Sequence, residues 1–237
     1  MIARREVALA VVLSAAAGYL DAVGYVYLGG FFVSFMSGNT TELASSLAHG
    51  DAGAVGLAGT LLGMFFAGVV LGAILARLGD GRTTVLAVTA LLVGLTALLG
   101  GLSGSTVPVA LLLPTAMGVV NATFLNDGET SIGLTYMTGA LVKAGQRLVD
   151  AFHGGPRTLW ARHLSLWAAL LVGGIVGAVM LHRLGLGGAL WPIAGLLAML
   201  TVIVAADRRR RGVFGVRARR SRREIVVHRP GPRRTDR

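Results

Sequence analysis

The sequence predicts an all-α polytopic membrane protein, with about six transmembrane helices in two inverted three-helix repeats, each carrying a broken or re-entrant segment. Three observations predict it. Hydrophobic residues make up 54% of the 237 and the mean hydropathy is +0.71, too apolar for a soluble domain of this length. Six stretches approach the roughly 20 apolar residues that a helix needs to cross a bilayer core. Finally, two short motifs recur about a hundred residues apart. The first reads Gly18-Tyr19-Leu20-Asp21-Ala22 and then Ser34-Phe35-Met36-Ser37-Gly38. The second reads Gly118-Val119-Val120-Asn121-Ala122 and then Thr135-Tyr136-Met137-Thr138-Gly139. A duplication whose matched positions carry an acid, an amide and hydroxyls is the pattern of two membrane units building one polar site between them.

The expected spans cover residues 7–28, 55–76, 83–102, 107–125, 163–182 and 188–206. The first, with Arg4-Arg5 ahead of an apolar run ending Ser14-Ala15-Ala16-Ala17, has the look of a secretory signal. Cleavage there would cut the first motif from its helix, so the segment reads as a span. Gly59-xxx-Gly63 and Gly68-xxx-Gly72 in the second span, and Gly173-xxx-Gly177 in the fifth, are expected packing surfaces, because small residues let membrane helices approach closely. Pro114 inside the fourth span is a tolerated kink site.

Two further segments, 31–49 and 130–153, are too polar to face lipid. One holds Ser37, Asn39, Thr40, Thr41, Glu42, Ser45 and Ser46; the other holds Lys143, Gln146, Arg147 and Asp150. If both dip in and return on the same side, then Arg4, Arg5, the Arg77–Arg82 loop, the Arg157–Arg162 loop and the arginine-rich end all share one face, the cytoplasmic one by the loop-charge rule. Eight crossings would move Arg77 and Arg82 outside, whereas six misplace mainly His182 and Arg183. Three crossings per half is an odd number, so the second half is upside down relative to the first. The organisation expected is a first membrane repeat over 1–104, a second over 105–206 and a disordered tail over 207–237. The tail carries 13 arginines against three acids, while residues 1–206 nearly balance at nine basic and eight acidic. Such a tail suits anionic lipid headgroups; nucleic acid is disfavoured for want of interleaved aromatic residues.

In the first motif, Phe31–Met36 reads as an extended strand, Ser37-Gly38 as a turn, and Asn39 with Glu42 as the cap and third-position acid of a half-helix. The second copy has the same layout over 132–139, with Thr138 as cap. Broken backbone at membrane depth must face protein or a water-filled cavity. Two half-helix starts entering from opposite faces would converge near the midplane, each with about half a positive charge suited to an anionic group. The candidate substrate-binding residues are therefore Asp21, Ser34, Ser37, Gly38, Asn39, Thr40, Asn121, Thr135, Thr138 and Gly139. Asp21 stands out as an intramembrane acid: it either carries a coupling ion or proton, or pins the broken segment through Ser37, Asn39 or a free backbone N–H. Lys143, Arg147 and Asp150 share one helix face and read as an interfacial polar stripe. The five histidines lack metal-ligand spacing and there is no cysteine, so neither a metal nor a cofactor is expected.

Gly18-xx-Asp21-Ala22, Gly29-Gly30-xx-Val33-Ser34-xx-Ser37-Gly38-Asn39-Thr40 and Thr135–Gly139 together resemble the YoaK family of bacterial membrane proteins, a domain-of-unknown-function family. The resemblance spans about residues 8–206; the family favours Thr where Ser37 stands. It implies an inner-membrane location and a shared architecture of about six spans, and it transfers no reaction or cargo. The function expected is a secondary transporter or channel for a small molecule or ion. The alternative is a non-transporting sensor, assembly factor or lipid binder. An enzyme is not expected, because no nucleophile elbow, zinc-protease motif or phosphate loop is present. Truncation at Ala206 would separate transport from tail-mediated binding.

Overall fold

A computed structural model describes residues 4–78, 80–126, 129–130 and 137–210. The described chain is helical apart from a two-residue antiparallel pair, Leu125–Asn126 with Glu129–Thr130. Its helices are α1 (Arg4–Tyr27), α2 (Met36–His49), α3 (Ala52–Leu75), α4 (Gly81–Ser103), α5 (Val107–Val120), α6 (Met137–Phe152) and α7 (Leu159–Arg210). A 3₁₀ turn, Asn121–Phe124, extends α5. Within α7, Gly185 has φ 67° and ψ −178°, a conformation open to glycine, and breaks the helix into limbs 159–184 and 186–210. Helix α7 continues to Arg210, four residues into the stretch expected to be tail. The remainder of that tail lies outside the described residues. Five segments are long and apolar enough to cross a membrane, and α7 with its two limbs supplies a sixth.

Contacts at the two ends fix the direction of each helix. Three ion pairs gather the start of α1, the start of α4 and the end of α7: Arg5–Asp207 at 2.8 Å, Glu6–Arg82 at 3.5 Å and Asp80–Arg208 at 2.7 Å. This is the arginine end. At the opposite end the Tyr27 hydroxyl donates to the Gly104 carbonyl at 3.1 Å, and Gly100 and Gly101 of α4 approach Leu186 and Gly187 beside the Gly185 break. Hence α1 and α4 run away from the arginine end, and α5 runs back towards it, where the Thr123 carbonyl accepts from Arg82 Nε at 3.0 Å. Helix α3 also runs back, because only residues 76–80 separate it from Gly81. The first limb of α7 lies parallel to α1, with Gly173 on Ala15 and Gly177 on Tyr19, and the second limb returns. The six long segments therefore alternate in direction, while α2 begins and ends near the opposite end and α6 near the arginine end.

Packing rests on small residues. A Cβ on Gly18 would overlap the Leu170 carbonyl, and Cβ atoms on Gly173 and Gly177 would overlap those of Ala15 and Tyr19. The α3–α5 contact repeats this: Gly118 sits on Phe65, Gly68 on Thr115 and Gly72 on Val119. Only glycine permits backbones this close, and closeness recovers the dispersion energy that drives helix association in lipid. Gly59 and Gly63, expected in the same role, have open space around their Cα atoms. They lie about half a turn round the helix from Gly68 and Gly72, on the face away from the bundle, whereas Ala58 and Leu61 in the same turns are fully buried. The buried core runs along α1, α4, α5 and the second limb of α7, through Leu13, Leu20, Leu86, Leu113, Leu190 and Leu197.

Candidate functional site

The first motif folds back on its own helix. Gly29 and Gly30 adopt positive φ (71° and 107°), closing α1 through Gly30 N–H to the Tyr25 carbonyl at 2.8 Å. The following residues run back along the last turns of α1 until Val33 and Ser34 meet Asp21. One carboxylate oxygen accepts from the Val33 and Ser34 amides, each at 2.8 Å, and the other accepts from the Ser34 hydroxyl at 2.8 Å. Gly24 makes room: a Cβ there would stand 2.5 Å from a Val33 methyl. The strand expected over Phe31–Met36 does not form. Asp21 satisfies those amides instead of a neighbouring strand, and the segment is irregular up to Met36.

Asn39 is not a helix cap. Helix α2 starts three residues earlier, with Phe35 at the cap position and no side-chain bond there. Asn39, buried within the first turn, reaches back across seven residues. Its Oδ1 accepts from the Phe32 amide at 3.0 Å and its Nδ2 donates to the Phe32 carbonyl at 2.6 Å. It thus satisfies both backbone polar groups of one half-buried residue, a stronger demand than capping. Phe32 is held further by the rings of Tyr25 and Phe35, at 4.7 and 5.2 Å between centroids. Gly38 lets this cluster close, since a Cβ there would stand 2.6 Å from the Phe35 ring. Ser37, Thr40 and Glu42 are exposed, and the Thr40 hydroxyl donates to its own helix at the Met36 carbonyl.

The second motif is built differently. Asn121 ends α5, and its Nδ2 donates to the Met117 carbonyl one turn back at 2.7 Å. The 3₁₀ turn after it is held by Arg82, which donates to the Thr123 carbonyl and lies 5.4 Å over the Phe124 ring. Helix α6 starts at Met137, the residue matching Met36; Thr138 is its second residue and is exposed, and Gly139 follows. Thr135 and the strand expected over 132–136 lie outside the described residues. On α6, Met137, Ala140 and Ala144 are buried, and Arg147 pairs with Asp150 at 3.0 Å on the exposed polar stripe.

The structure brings Asp21 and Ser34 together, and places Asn39 next to them through Phe32. Among the described residues, Asp21 and Asn121 do not come to one point. At 1.5 Å per residue, Asp21 lies about 9 Å inside the Tyr27 end, whereas Asn121 lies about 21 Å from the start of α5, close to the arginine end. The reason is directional: each motif breaks the exit end of its helix, and α1 and α5 exit at opposite ends.

Sequence reasoning missed the ion-pair triangle, in which Arg5–Asp207 ties α1 to α7, Glu6–Arg82 ties α1 to α4, and Asp80–Arg208 ties α4 to α7. Its signal was present as acids beside the basic residues, in Arg5-Glu6, Asp80-Gly81-Arg82 and Asp207-Arg208, where the loop-charge rule calls for cations only.

Residues 9–203 match the model of a family described as a protein of unknown function, DUF1275. The chain belongs to the DUF1275 family. It is also 36% identical over 204 residues to the UPF0700 transmembrane protein RA0705 of Rhizobium meliloti (strain 1021), covering 85% of this chain and 88% of that protein. No solved structure matches. The family is thus an uncharacterised one with a transmembrane member, as the motif resemblance implied, although neither match carries the YoaK name. The DUF1275 chain is an integral, multi-pass membrane protein.

Proposed function

We propose that the protein is a secondary transporter or channel for a small molecule or ion, built from two inverted three-crossing units in the bacterial inner membrane, with the arginine end cytoplasmic. The observation that carries this reading is the correspondence of the glycine crossings. Adding 100 to Ala15, Gly18 and Tyr19 and subtracting 105 from Leu170, Gly173 and Gly177 gives Thr115, Gly118, Val119, Phe65, Gly68 and Gly72, the residues of the other crossing. Each unit lends its first helix to the other unit's second helix, so neither unit packs alone. Inverted units exchanged in this way are the common ground plan of alternating-access proteins, which rock one bundle against the other.

Orientation follows from loop charge: Arg5, Arg77, Arg82, Arg157, Arg162 and Arg208–Arg210 share the arginine end, against Arg183 at the other. Asp21, on α1 about 9 Å within the bundle where it holds the non-helical segment, is the residue for coupling to a proton or cation. The test is reconstitution into proteoliposomes, with currents recorded on concentration jumps across a panel of small ions and zwitterions. Solute-driven current in the wild type that loses its pH or sodium dependence in Asp21→Asn supports the reading. No current above empty liposomes across the panel overturns it.

A further inference from the structure

We infer that the arginine end holds a binding site for an anionic phospholipid, which seats its acyl chain between α1 and the second limb of α7 and its headgroup among Arg5, Arg82 and Arg208. A cavity of about 640 Å³ opens there. Its walls are two helical stripes with the same spacing, Arg5, Ala8, Leu9 and Val12 on α1 and Leu200, Ile203, Val204 and Asp207 on α7. The helices run antiparallel and converge above it, where the Tyr19 hydroxyl donates to the Ala189 carbonyl at 2.7 Å. Below that joint the cavity lies between them, and the Arg5–Asp207 pair bridges the mouth. The result is an apolar slot about 10 Å deep, from Val12 and Leu200 to the charged rim.

A slot of this shape takes a hydrocarbon chain, not a free ion, because inorganic phosphate would leave Leu9, Val12, Leu200 and Val204 against empty space. The rim sets the sign of the headgroup. Arg5, Arg82 and Arg208 present guanidinium donors at the rim, each shared with one acid, Asp207, Glu6 and Asp80, and the excess positive charge at this end comes from Arg209, Arg210 and, in sequence, ten further arginines over 211–237. The chain's own tail is not the occupant, since its run of arginines does not match the apolar walls of Leu9, Val12, Leu200 and Val204. Basic pockets between helices on the cytoplasmic side recognise anionic headgroups by this combination of guanidinium donors and surface potential.

The experiment uses the full chain, purified and stripped of lipid, with native mass spectrometry and a binding titration of dioctanoyl-phosphatidylglycerol against dioctanoyl-phosphatidylcholine. The anionic lipid should bind about tenfold more tightly, the effect of one charge-assisted contact. Arg5→Glu, at an exposed position, should remove that preference, and Val204→Trp should abolish binding of both lipids by filling the slot. Binding to the basic tail alone would be insensitive to Val204→Trp. Equal affinity for the two lipids, no effect of either variant, or displacement by millimolar inorganic phosphate would overturn the assignment. If Val204→Trp fails to fold, the wild-type comparison and Arg5→Glu decide it. None of these readouts depends on transport.

Discussion

Replacing the crossing glycines by alanine tests the packing most sharply, because the same substitution on the same helix should have opposite outcomes. Real Cβ atoms keep at least 3.0 Å from such neighbours; at Gly72 an added Cβ would lie 2.8 Å from the Val119 carbonyl, and at Gly18, Gly68, Gly118 and Gly173 it would overlap a carbonyl outright. A backbone carbonyl cannot rotate aside as a side chain does, so the helices must part by about 1 Å at the tightest sites. A gap of that size forfeits roughly a quarter to a half of each contact's dispersion energy, and over some 20–30 atom pairs the loss is about 1–3 kcal/mol. Gly72→Ala, short by a few tenths of an ångström, should fall at the low end. Gly59→Ala and Gly63→Ala, with nothing within 4 Å, should be neutral or gain up to about 1 kcal/mol of helix propensity. Thermal melting in detergent reads all of these. The matched pairs Gly18 and Gly118, and Gly68 and Gly173, should lose similar amounts. If Gly173→Ala melts where Gly59→Ala does, the reasoning fails.

Other expectations follow from single contacts. Asp21→Ala leaves two amides and a hydroxyl without their acceptor and should cost about 2–4 kcal/mol, whereas Asp21→Asn keeps an acceptor and should melt within about 1 kcal/mol of wild type. Asn39→Ala abandons both polar groups of Phe32 and should destabilise by about 1–3 kcal/mol, measured by the same melts. In the ion-pair triangle, Asp80→Ala should cost about 3 kcal/mol or more because that carboxylate is 7% exposed and holds both Arg208 and the Thr83 hydroxyl. Arg5→Ala, 76% exposed, should cost no more than about 1 kcal/mol, and less at high salt. Truncation after Arg210 should leave melting unchanged, whereas truncation at Ala206 removes Asp207 and Arg208 and should lower it, so the former is the cleaner test of the tail.

The spans were legible because hydropathy alone marks them: all six fall within a few residues of the helices, since lipid leaves a segment of that length little alternative to a helix. Gly68, Gly72, Gly173 and Gly177 were legible as small-residue pairs. Gly59 and Gly63 carry the same spacing and do not pack, because spacing records that two residues share a face and not which face meets a partner. Asp21 was legible as a buried acid in need of donors. What misled was local propensity around it: Phe31–Met36 is β-branched and aromatic, but a two-ended clamp from Asp21 and Asn39 overrides that preference, and no pattern encodes a contact across twelve residues. The ion pairs escaped notice because each joins residues at least 76 positions apart or on separate helices, where only the fold brings them together.

The central claim is that the two halves run in opposite directions through the membrane. The chain has no native cysteine, so single cysteines report without background. In intact cells, an impermeant maleimide should label Asp51→Cys and Thr106→Cys from outside, and should reach Arg77→Cys and Arg157→Cys only after the membrane is opened. External labelling of Arg77→Cys would contradict the account, because α3 would then run the wrong way for the two halves to be inverted.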